Sequence, residues 1–160
     1  MDGGIPTSMK TTTLVAIKRG VLLYWSLWFT IVFASNGLDG LKALGVIDKS
    51  WKLAGGDFTV ISPAAAFYGV PARASGLLLV CLMVGEGITG AAFWRAFVKF
   101  RGIMNADGRA PAVAFILAIS LFAALLPADR FPGGHTYMVT HLKILVALLV
   151  SLLLVFFLPE

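Results

Sequence analysis

Four apolar runs, each long enough to cross a bilayer, set the limits on what this chain can become. They lie at about residues 20–41, 75–97, 110–126 and 140–158. A hydrocarbon layer of about 30 Å is crossed by about 20 helical residues at about 1.5 Å each. Within hydrocarbon every backbone amide and carbonyl must be satisfied by the chain itself, so runs of this length are expected to be helices. Of 160 residues, 59% are hydrophobic and 13% charged, and the mean hydropathy is +0.90, outside the range of ordinary soluble domains. The expected fold is all-α: an integral membrane four-helix bundle forming a single domain over residues 1–160.

The first run follows Lys18 and Arg19 and carries Tyr24, Trp25, Trp28 and Phe29. The second closes on Trp94, Arg95, Lys99 and Arg101. Pro111 opens the third, in a first turn where no intrahelical amide bond is lost. The fourth is almost pure Leu, Val and Phe after His141 and Lys143. Between the first two runs, residues 45–72 hold Trp51, Phe58, Phe67 and Tyr68, too apolar for a free linker. An aromatic-rich loop of this kind is expected to lie at the membrane interface or to cap the bundle. Within it, residues 57–61 read as extended and residues 63–66 as the opening of a short interfacial helix.

The net charge of +5 and pI near 9.7 would suggest nucleic acid in a soluble protein. Here the basic residues sit at the ends of apolar runs, so lipid headgroups are the expected partner and nucleic acid is not. With four spans, Lys10, Lys18, Arg19, Arg95, Lys99, Arg101 and Arg109 share a side with the termini, against Lys42, Lys49, Lys52, Arg73, Arg130 and Lys143. The split is nearly even, but the second group is spread over a long loop, which assigns both termini to the cytoplasm; the expected location is a bacterial inner membrane. The first helix then acts as an uncleaved anchor. The single cysteine, Cys81, offers no disulfide framework or zinc pattern and reads as a small buried side chain.

Glu86 stands at the centre of the second run. A carboxylate at mid-bilayer costs about 2.5–3.5 kcal/mol on insertion scales, so it should be protonated, paired across helices or turned to a polar cavity. Around it, Gly87 and Ala91 form a small-xxx-small pair that brings a neighbouring helix close. Glu86 then serves either as a hydrogen-bonding link between helices or as a group that handles a proton or a quinone carbonyl. Asn36, Asp39 and Lys42 recur every three residues near the end of the first run and share a face. They form either a solvated helix end or a polar mouth meeting Glu86 or a ligand headgroup. Straight helices would separate Asp39 from Glu86 by roughly half the membrane depth.

His135 and His141, six residues apart, fall on different helical faces and read as interfacial polar residues rather than a metal pair. The chain carries no glycine-rich phosphate loop, no cysteine pair and no catalytic triad, so no self-contained haem, metal or nucleotide site is expected.

The segments Asn36-Gly37-Leu38-Asp39-Gly40-Leu41-Lys42 and Val84-Gly85-Glu86-Gly87-Ile88-Thr89-Gly90, with two further apolar runs, resemble the DoxX-like membrane proteins, including the DoxD type. The resemblance covers the four-helix layout but not the aromatic loop. It implies a compact bundle tied to redox or quinone-linked systems, carries over Asn36, Asp39, Lys42 and Glu86 alone, and implies no catalytic status for them. Two function classes follow. The first is an accessory or structural subunit held among other membrane-protein subunits of an electron-transfer or energy-converting complex, favoured by the lack of a self-contained cofactor site. The second is a quinone-linked oxidoreductase component that uses Glu86 for proton or quinone handling.

Overall fold

The computed structural model describes residues 7–48, 50–51, 57–100 and 109–158. These fold into α1 (Thr7–Ala43), α2 (Asp57–Phe67), α3 (Ala72–Lys99), α4 (Arg109–Ala128) and α5 (His135–Phe157), with no strand among the described residues. All but α2 are long and apolar enough to cross a membrane, which suits a bilayer environment. With no proline from Thr7 to Ala43 and no glycine from Thr7 up to Gly20, α1 runs unbroken from Thr7, well before the apolar run, and reaches about 55 Å over its 37 residues. Lys18, expected at headgroup level, is fully enclosed by protein, while the Arg19 guanidinium lies 5.3 Å from the centre of the Phe97 ring.

Glycines set how closely α1 and α3 approach. A Cβ at Gly90 would lie 3.3 Å from Phe29 Cβ, and one at Gly87 would lie 3.2 Å from the Phe33 ring. From α1, Gly37 faces Met83 and Gly40 faces Leu79, so residue numbers rise on one helix as they fall on the other and the pair is antiparallel. The small residue that joins Gly87 against α1 is Gly90, one position short of the expected Ala91, whose side chain is exposed. On the other side, Gly85 brings α3 against Leu121 of α4.

An aromatic core fills the half of the molecule nearest the end of α3 and the start of α4. Phe29 stacks on Phe93 with ring centres 5.6 Å apart, and Phe93 meets Phe115 edge-on at 5.2 Å. Each such pair adds about 0.5–1.5 kcal/mol beyond burial. The Trp25 indole donates to Ser151 Oγ at 3.0 Å, tying α1 to α5.

The connection between α1 and α3 departs from the sequence reading. Residues 57–61 are helical, and α2 begins six residues before Pro63, because α1 supplies its cap: the Phe58 amide donates to the Asp39 carboxylate at 2.5 Å. A carboxylate at a helix N-terminus satisfies an otherwise unpaired amide and faces the positive end of the helix dipole. Pro63 lies on the exposed side of α2, away from Ala65, which the helix buries. Lys49 and Lys52 of this connection, and Arg101 between α3 and α4, lie outside the described residues.

Candidate functional site

Several hydroxyls inside the long helices are satisfied within their own helix. Ser26 donates to the Leu22 carbonyl, Thr30 to Ser26 and Thr89 to Gly85, each four residues back. Asn36 and Glu86 differ. The Asn36 amide nitrogen donates to both Glu86 carboxylate oxygens, at 2.9 and 2.8 Å, and both residues are buried. The bond is possible because Gly87 and Gly90 let α1 close on α3, so a short amide spans the gap.

The polar residues at the end of α1 therefore do not form a solvated helix end. Asn36 and Asp39 are 1% and 5% exposed. Asn36 turns to α3, Asp39 to the first turn of α2, and the Lys42 ammonium donates to the Trp51 carbonyl, so Asp39 and Lys42 do not pair with each other. Asn36 and Glu86 meet directly, whereas Asp39 is engaged one helical turn away.

Beyond the aromatic core, toward α2, lies a cavity of about 530 Å³ with residues from all five helices in its lining. Its volume falls in the range of small-molecule sites, about 300–1,000 Å³. Trp28 and Phe122, at the edge of the core, line one end, and Val60, Ile61, Ala64 and Ala65 of α2 supply another wall. Glu86 lies in the α3 wall, the main interruption of an otherwise apolar lining on that side. Cys81, expected to be buried, is exposed and lines the cavity, which brings the cavity to the surface beside Cys81 and Leu78. Past the end of α2, the Tyr68 hydroxyl donates to the Pro127 carbonyl at 3.1 Å. Asp39 and Tyr68 thus hold α2 across the cavity from opposite ends.

Asp129 and His141 form a second polar group in the lining. The His141 Nδ1 lies 2.6 Å from Asp129 Oδ2. Two glycines make this possible: Gly133 adopts φ +93°, and a Cβ at Gly134 would collide with the Asp129 carbonyl oxygen. The turn folds back tightly enough to set Asp129 beside the second turn of α5. His135, at the start of α5, is exposed. Asp129 went unnoticed in the sequence. The available signal was an acidic residue closing one apolar run, a Gly-Gly turn, and a histidine opening the next.

Among the described residues, no group of three His, Cys, Asp or Glu side chains converges as a metal site would require. No protein-family model matches the chain, and no curated protein or solved structure is significantly similar to it. What the site can do must be read from its chemistry. An apolar chamber with an oriented carboxylate in one wall can hold an amphiphilic molecule and exchange a proton with its polar end.

Proposed function

We propose that this chain is a four-helix bundle of the membrane, capped by α2 at the interface, that binds a quinone-type amphiphile in the cavity and exchanges protons with it through Glu86. It serves an electron-transfer system of a cell membrane, with both termini cytoplasmic. The observation that carries the reading is the Glu86 carboxylate, held by Asn36 at 2.8 and 2.9 Å, in the wall of an apolar cavity of about 530 Å³. The lining suits the group: Val60, Leu82 and Leu125 offer apolar contact to a ring and tail, and a carboxylate offers an acceptor to a hydroxyl. A quinone bound there would supply a two-electron, two-proton couple.

The chain's own residues divide the work simply. Asn36 fixes the direction of the carboxylate, α2 limits water on one side, and Glu86 takes or returns a proton at a carboxylate oxygen. Electrons would come from or pass to another membrane-protein subunit, so the accessory-subunit and quinone-linked readings meet in a small partner chain that contributes a binding cavity. An accessory role alone accounts for the bond between Glu86 and Asn36 but not for the place of Glu86 in the cavity lining.

Glu86→Gln tests the reading in native membranes. It keeps the side chain's size and one of the two oxygens that accept from Asn36, and removes the acid–base function. Quinone-linked turnover should fall at least about tenfold with native mass unchanged. Unchanged turnover would return Glu86 to a packing role.

A further inference from the structure

We propose that His141, held by Asp129, is a second acid–base group of the same cavity, so that the ligand headgroup carries two oxygens and engages two walls at once. The inference rests on reading the cavity as a ligand site. Glu86 reaches the cavity from α3, and His141 from α5. Asp129 is 8% exposed, and its carboxylate lies 2.6 Å from Nδ1. A carboxylate in that position fixes a proton on Nδ1 and orients the ring. Among the described residues, Nε2 then has no hydrogen-bonding partner. The ring is half-buried beside Phe122, 5.7 Å between centres, and belongs to the lining, so the free nitrogen is available to a cavity occupant.

The other titratable groups of the lining are Asp129 from the turn after α4, Tyr137 from α5, Tyr68 from the end of α2, Cys81 and Glu86 from α3. Tyr68 donates to the Pro127 carbonyl and Glu86 is the base of the α3 wall, so His141, beside the compensating charge of Asp129, supplies the second base. In the proton step, the O–H bond of a ligand hydroxyl breaks, an Nε2–H bond forms, and the electron pair of the broken bond stays on oxygen. The imidazolium is balanced by the Asp129 carboxylate. The reverse step returns the proton to a ligand oxygen, and no electrons move to or from the protein.

The test is ¹⁵N NMR of the full chain in lipid nanodiscs with labelled histidine, the two rings being assigned with His135→Gln. Probes are a decyl-substituted benzoquinone, its quinol and 4-nonylphenol, with binding followed independently by Trp fluorescence. The proposal expects His141 without ligand to carry its proton on Nδ1, an Nε2 resonance that moves on addition of probe, and a His135 resonance that stays in place. In Asp129→Asn, the Nδ1–H preference should be lost. If a probe binds and His141 Nε2 does not respond, the proposal is overturned while the cavity reading stands. If the phenol moves Nε2 and neither quinone nor quinol binds, the acid–base role is upheld and the quinone reading falls. If no probe binds or moves Nε2, both are overturned.

Discussion

The Asn36 amide nitrogen lies within 2.9 Å of both oxygens of Glu86, joining α1 to α3 at the level where a packed aromatic core gives way to a cavity. The bond has two consequences. It removes part of the cost of a carboxylate among apolar helices, and it fixes the position of a carboxylate that belongs to the cavity lining.

Asn36→Ala should destabilise the protein by about 1.5–3 kcal/mol, the range for a hydrogen bond to a charged group. Reversible unfolding in mixed micelles measures it. Replacing both partners, Asn36→Leu with Glu86→Leu, should recover much of the loss, since no buried polar group is then left unmatched. An Asn36→Ala protein as stable as the parent would mean that the bond contributes nothing to holding α1 and α3.

The glycines along the same interface should differ in their tolerance. Gly90→Ala places a methyl 3.3 Å from the Cβ of Phe29, which is fully buried and stacked on Phe93, so relief requires the helices to separate. A loss of about 1–3 kcal/mol is expected. Gly87→Ala presses on the Phe33 ring instead, and that ring is 42% exposed and can swing outward. The same unfolding assay should rank Gly87→Ala as the milder change.

Asp39→Ala removes the carboxylate that caps α2, a loss of about 0.5–2 kcal/mol, and should loosen that helix over the cavity. The chain's single cysteine reports on it, because Cys81 lines the cavity. Maleimide labelling of Cys81 should accelerate in Asp39→Ala and in Tyr68→Phe, and fastest in the double variant. Equal rates in all four proteins would show that α2 is not held by these two bonds.

Outside the spans, hydrogen bonds from Ser50, the side chain first and the backbone amide second, hold the Asp48 carboxyl below its ordinary value of 3.8, with Lys42 adding a smaller pull in the same direction. A lowered folded-state pKa means that the turn gains stability from the charged form above pH 3.8 and loses it as pH falls through the folded value. Ser50→Ala should move Asp48 back toward 3.8 in an NMR titration, and the acid-induced loosening of the turn at residues 44–48 should begin at higher pH.

The four spans were legible because their signal is local: length and apolarity suffice for α1, α3, α4 and α5. The helical start of α2 was not, since its cap comes from Asp39, 19 residues before Phe58. The Asn36–Glu86 bond depends on the register between two helices, which glycine contacts set and composition does not reveal. The same holds for Asp129 and His141, brought together by a turn whose geometry rests on Gly133 and Gly134. Glu86 itself stood out because a carboxylate at mid-membrane depth is costly wherever its partner lies. Cys81 misled because an apolar run in a membrane helix presents side chains to lipid and to a cavity as readily as to a core.

The most direct measurement is native mass spectrometry of the chain released from its own membrane in mild detergent, reading co-purifying chains and bound small molecules together. One quinone-class molecule per chain is expected, lost when Ala65→Trp fills the cavity beneath α2 and retained when the exposed Ala91 is changed to Trp. A chain that emerges without such a molecule, or that keeps it equally in both variants, would contradict the assignment of the cavity as its binding site.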